Sequence, residues 1–182
     1  SDIVNNLLNL KAKSNTKTRA GWDALMIATR YNHTDVMRLL ISHNANVNTA
    51  DKDGMTALMT AAKKGLQEAV NILLEADADL YIRNRDGATA MIVAASNGQI
   101  NVLKLLLDKG ANINALSDDG ATALFWAGSN GHHDIVKLLL NKGLDINHQD
   151  FEGNTAMMDA VLAEEEQVVK LLLDHNADIS LT

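Results

Sequence analysis

The chain has 182 residues, 47% apolar and 21% charged, with a formal net charge of −7; this is the balance of a self-sufficient soluble fold, long enough to bury about 70% of the surface it exposes when unfolded. Cysteine is absent, which excludes disulfides, zinc–thiolate sites and thiol nucleophiles. No run approaches the roughly 18 consecutive apolar residues needed to span a bilayer, and the start lacks the basic-then-apolar order of a secretory leader.

Aromatic residues make up only 3% of the chain, so the core must be built from Leu, Ile, Val, Met and Ala, a mixture that favours close-packed helices. Residues 1–17 come first. Shifting them by 33 places Asp2-Ile3-Val4 on Asp35-Val36-Met37, so this segment is expected to be the second helix of a half-unit, capped by Ser1 or Asp2. Residues 18–50 then set a frame. A polar tip carries Gly21, Asp23 stands as the N-cap of a short helix, Leu39-Leu40-Ile41 ends a second helix, and Asn44 accepts the positive φ that follows it.

The frame recurs over 51–83, 84–116, 117–149 and 150–182, with glycines at 21, 54, 87, 120 and 153, always 33 apart. Thr56, Thr89, Thr122 and Thr155 take the cap position, and Gly65, Gly98 and Gly131 follow the first helix. In the second helix from Asn101 to Asp108, Val102, Leu105 and Leu106 form the expected buried stripe. Each second helix is followed by Asn44, Asp77, Gly110, Gly143 or Asn176, and then by a stretch such as Ala111-Asn112-Ile113-Asn114. The last unit carries Glu164-Glu165-Glu166 at the junction of its helices, a polar run suited to the end of an array.

A 33-residue unit that reads D-x-x-G-x-T-x-L-x-x-A-A-x-x-G, then [IV]-V-x-L-L-L-x-x-G-A-[ND]-[VI]-N, resembles the ankyrin repeat. The resemblance covers five units and implies an all-α, single-domain solenoid of stacked helix–turn–helix units with β-turn or hairpin tips. Where the family writes T-P-L-H this chain writes T-A-L-M or similar and has no proline; Ala is an excellent helix former, so helix start survives. Met26, Met59, Ile92, Phe125 and Met158 replace the family's histidine with apolar groups. The T-A-L-M wording, the abundant Asn and the missing Cys and Pro resemble bacterial members.

Chemistry is sparse. His33 and His132 share one frame position and His43 and His175 another, so a turn or capping role accounts for them. His132 and His133 are adjacent on a helix and point about 100° apart, with no third ligand indicated; no metal and no cofactor are expected. Ser96 and Ser129 end short helices rather than sitting on a nucleophile elbow, and no phosphate-binding glycine motif occurs. The chain is expected not to be an enzyme. Residues 1–91 hold 11 Lys and Arg against 10 Asp and Glu, whereas 92–182 hold 5 against 13. That acidic second half argues against nucleic acid as the ligand.

Function is expected in the letters that do not repeat. RDGATAMIVAASNG at 85–98 becomes DDGATALFWAGSNG at 118–131, keeping the frame but exchanging Ile92 and Val93 for Phe125 and Trp126. Tips and the exposed sides of first helices line one concave flank in such an array. The expected partner-binding residues there are Arg19, Trp22, Arg30, Tyr31, Lys52, Met55, Lys63, Lys64, Arg85, Asp119, Phe125, Trp126, Asn130, Phe151, Glu152 and Met158. Five of the six aromatics fall on this flank and only Tyr81 lies outside it. The resemblance thus implies a protein-interaction module, monomeric in isolation, that binds and inhibits or masks another protein, with an enzyme as one such partner. It is also compatible with a fragment of a larger bacterial effector or scaffold, or with a self-protection protein for a cell-wall hydrolase. The compartment stays open between cytoplasm and, after removal of a leader, bacterial periplasm.

Overall fold

The computed structural model describes residues 15–181. Residues 1–14, which carry most of the half-unit expected over 1–17, and Thr182 lie outside the described residues.

Among the described residues there are ten helices in five helix–turn–helix pairs. The first pair is α1 (Ala24–Arg30) with α2 (Thr34–Ser42), and the second is α3 (Ala57–Lys64) with α4 (Gln67–Glu75). Then come α5 (Ala90–Ser96) with α6 (Ile100–Asp108), α7 (Ala123–Ser129) with α8 (His133–Asn141), and α9 (Ala156–Leu162) with α10 (Glu166–Asp174). No strand occurs among the described residues, but two isolated antiparallel bridges, Ala50 with Thr56 and Gln149 with Thr155, give the tips a hairpin character.

The helices start where the sequence supplies an oxygen. Asp23, Thr56, Thr89 and Thr155 hold extended backbone and accept from the N–H of Met26, Met59, Ile92 and Met158 at 2.9, 3.2, 3.5 and 3.4 Å, satisfying one of the orphan donors of each first turn. Thr122 has the same backbone but makes no such bond, and its hydroxyl oxygen is buried without a partner. Between the two helices of each pair the chain turns through a positive φ at Asn32, Gly65, Gly98, Gly131 or Glu164. It does so again after each second helix at Asn44, Asp77, Gly110, Gly143 and Asn176.

Successive first helices α1, α3, α5, α7 and α9 pack on one another more extensively than the second helices do, so the array curves with its first helices on the inner side. The close approach selects small residues: Thr29, Ala62, Ala95 and Gly128 occupy one frame position on that seam and are all buried. A methyl group added at Gly128 would already touch the Ala156 carbonyl oxygen at 3.5 Å. In α6 the buried residues are Val102, Leu103 and Leu106; Leu105, expected in the stripe, is only half-buried.

The same packing corrects one expectation. Met26, Met59, Ile92 and Phe125 occupy a single frame position that points into the seam between first helices. Phe125 is 2% exposed and meets the ring of His148 edge-on at 6.0 Å. It is therefore a core side chain, and not the partner contact that its place beside Trp126 led us to expect.

Candidate interaction surface

Three of the tips are each built around one side-chain acceptor. Asp51 Oδ1 accepts from the N–H groups of Asp53 and Met55, both at 2.9 Å. Asn84 Oδ1 accepts from Asp86 and Ala88 at 3.0 and 2.8 Å, and Asp150 Oδ1 from Glu152 and Asn154 at 2.9 and 2.8 Å. Consecutive tips are then joined by a backbone ladder. Lys52 N–H donates to Ala20 O at 3.1 Å, and Arg85, Asp118 and Phe151 donate to Asp53, Asp86 and Asp119 at 2.9 Å each. The frame glycines make this approach possible. Gly54 has φ +76°, and a Cβ there would stand 2.8 Å from the Cα of Asn84. Stacking thus uses up the repeated letters of the tip, and Arg19, Lys52, Asp119 and Glu152 are left exposed on it.

Between the tips and the first helices of the middle pairs lies an open depression of about 370 Å³. Met55 and Arg85 enter it from the tips, Lys63, Val93 and Ser96 from α3 and α5, and Trp126 from α7. Of the expected binding residues it therefore gathers Met55, Lys63, Arg85 and Trp126. Trp126 is half-buried and held in place: its Nε1–H donates to Ser117 Oγ at 3.2 Å, and Ser117 in turn donates to Asp119. Ser117 stands where other tips have Asp51, Asn84 or Asp150, and so replaces a tip acceptor by a hydroxyl that serves the indole. Asn130 donates to the Trp126 carbonyl at 2.7 Å. Arg85 and Asp53 approach to 3.4 Å, but both are well exposed, so the pair contributes little and leaves the guanidinium accessible.

The remaining expected residues flank this depression or leave it. Trp22 is half-buried; its Nε1–H donates to Asp51 Oδ2 at 3.0 Å and the Arg30 guanidinium sits 4.7 Å from its ring centre. Both residues thus already have partners within the chain. Tyr31 is exposed and stacks on His33 at 6.1 Å, and Lys64 is exposed at the end of α3. At the far end Met158 is half-buried, and Phe151 is exposed with its ring against Gly120, outside the depression that holds Trp126. Near it Asp159 is held above the usual carboxylate range, first by partial burial and then by the charges of Asp150 and Asp119. Positive groups therefore mark one end of the surface and crowded carboxylates the other.

The histidines serve the fold. His132 Nε2 lies 3.0 Å from Ser96 O of the preceding unit and His148 Nε2 lies 2.9 Å from Gly120 O of its own unit; since a carbonyl only accepts, each ring carries its proton on Nε2. Among the described residues no three His, Asp or Glu side chains come close enough to hold a metal ion, and no helix is long and apolar enough to cross a membrane.

A family model described as ankyrin repeats (three copies) matches residues 1–84 and 91–182. No curated protein matches the chain.

Proposed function

Because the chain belongs to the ankyrin-repeat family, whose members are protein-interaction modules, we propose that it binds another protein along its inner flank, with Trp126, Met55, Lys63 and Arg85 as the centre of contact. The observation that carries this reading is their convergence on one depression of about 370 Å³. An indole, a thioether and two long cations line an open, half-apolar concavity, the composition that anchors protein interfaces. The partner is complementary in polarity: acidic where it meets Lys63, Lys64 and Arg85, and basic where it meets Asp119, Asp150 and Asp159. Capture of the partner by the full chain, followed by calorimetry against Trp126→Val, Lys63→Glu and Arg85→Glu, tests this. The proposal expects each variant to weaken binding and the association rate of the wild type to fall with added salt. Unchanged affinity in all three would sink it.

Masking of an enzyme is the sharper form of the proposal. A surface several units long that grips a partner across its own polar axis covers a large part of that partner. The captured protein is assayed with and without the chain: loss of activity supports masking, and full activity in the complex supports a scaffold or a fragment of a larger effector.

A further inference from the structure

Three exposed aromatic side chains, Tyr31, Tyr81 and Phe151, lie outside the groove depression, and Tyr81 and Phe151 break the frame and line a depression of their own. Tyr81 stands where the other junctions carry Asn15, Asn48, Asn114 and Asn147. Three of those amides tie neighbouring units together: Asn15 Oδ1 accepts from Asn46 N–H at 3.1 Å, Asn48 Oδ1 from Asp79 N–H at 2.8 Å, and Asn147 Oδ1 from Asp178 N–H at 2.8 Å. Tyr81 has no amide to offer. Its hydroxyl makes only a long 3.3 Å bond to Gly110 O, and the residue is 63% exposed. Phe151 stands where other tips carry Arg19, Lys52, Arg85 and Asp118, and it is 75% exposed. A chain that exchanges the frame's short amide bond for a longer hydroxyl bond to the next unit, and leaves two rings largely in water, gives up stability at both positions, and departures of this kind concentrate where a surface has work to do.

The two rings line one depression of about 450 Å³, floored in part by half-buried Leu80 and Leu116, and it shares no lining residue with the groove depression. Its charges cancel. Arg83 Nη2 pairs with Asp118 Oδ1 at 2.7 Å, and the same guanidinium donates to Leu116 O at 3.1 Å and, through Nε, to Gly87 O at 2.9 Å. What remains for a ligand is the polar edge of two asparagines. Asn112 spends its oxygen on Asn114 N–H at 3.0 Å, leaving its amide N–H groups, and the Asn114 side chain makes no hydrogen bond among the described residues.

The geometry points to this depression as a docking site for a proline-rich, polyproline-II segment of another protein. Such a segment is uncharged, presents apolar ring faces, lacks N–H groups and carries unpaired backbone carbonyls. It therefore asks for exposed rings and a few donors rather than for charge or acceptors. Because it is already extended in solution it loses little entropy on docking, so a shallow open site suffices. These 182 residues contain no proline, so the segment lies outside them. A neutral oligosaccharide also stacks on rings, and the titration below separates it from the peptide.

The full chain is titrated with a short synthetic proline-rich peptide, with the same peptide carrying Gly for Pro, and with a neutral gluco-oligosaccharide, while amide and side-chain NMR signals of Asn112 and Asn114 are followed. Tyr81→Asn and Phe151→Lys restore frame-type residues and so keep the fold, which their melting curves verify. The proline peptide should shift those signals, and each variant should weaken its binding by about tenfold or more, while Trp126→Val leaves it unchanged. Any of the following overturns the proposal: no shift with the proline peptide, equal binding of the Gly version, binding of the sugar alone, wild-type affinity in both variants, or weakening by Trp126→Val alone. Because the groove and this depression are probed by different variants, failure of one reading leaves the other standing.

Discussion

Replacing Gly54 by Ala separates two roles that one letter plays. The residue sits at φ +76° and a Cβ would lie 2.8 Å from backbone Asn84 Cα, next to the bond from Arg85 N–H to Asp53 O at 2.9 Å. Gly110 is the natural control: its φ is +91°, yet nothing lies within 4 Å of a Cβ there. Forcing a side chain into the left-handed region costs roughly 1–2 kcal/mol at either site, and the unfolded-state effect of Gly→Ala is common to both. Only Gly54→Ala must also push a backbone away, at roughly 1–3 kcal/mol for overpacking, and weaken a ladder bond worth roughly 0.5–1.5 kcal/mol. Urea unfolding followed by circular dichroism, with the slope unchanged, should therefore place Gly54→Ala below Gly110→Ala by about 1.5 kcal/mol or more. Two variants within about 0.5 kcal/mol of each other would mean that the tips are not stacked as described.

Phe125→Ala should cost about 3–5 kcal/mol of stability, as a buried ring does, whereas Trp126→Val, at a half-buried position, should cost clearly less; similar losses for the two would misplace the seam. Thr122→Val should be neutral or stabilising, because the hydroxyl it removes is buried without a partner, while Thr56→Val loses a working cap at about 1 kcal/mol; comparing the two melting curves decides. Asp159 has its folded carboxyl raised above the usual 3.8. Its native form therefore holds the proton more tightly, and the stabilisation this gives is full below that value and is lost as the pH rises through the folded pKa. Asp159→Asn should accordingly be more stable than wild type at neutral pH, with the gap closing in acid; a gap that widens in acid would reverse the sign.

Much of this was legible in the letters, for physical reasons that differ from residue to residue. Gly54 is readable because two demands, a positive φ and a close approach, converge on the one residue without a Cβ. Thr56 and Thr89 are readable because a cap needs only its own turn. Phe125 and Trp126 are harder, since neighbours on a helix point about 100° apart and only one of them faces outward. The signal was present all the same: the Phe125 position is apolar in every unit, as Met26, Met59, Ile92 and Met158, and so marks a seam. The Trp126 position ranges over Ile27, Thr60, Val93 and Asp159 and is free to vary. The engagement of Trp22 with Asp51 and Arg30 depends on the distance between consecutive tips, which no local pattern encodes. Tyr81 lies off the inner flank, although its place in a column of asparagines sets it apart in the sequence.

The account rests on non-repeating residues being the ones that meet a partner, and Trp126→Val probes that alone, because it inserts the residue that unit three carries at Val93. The affinity of the captured partner for wild type and for this variant should differ by about tenfold or more at a temperature where both are fully folded by their melting curves. Equal affinities, or a loss of affinity that tracks a loss of fold, would contradict it.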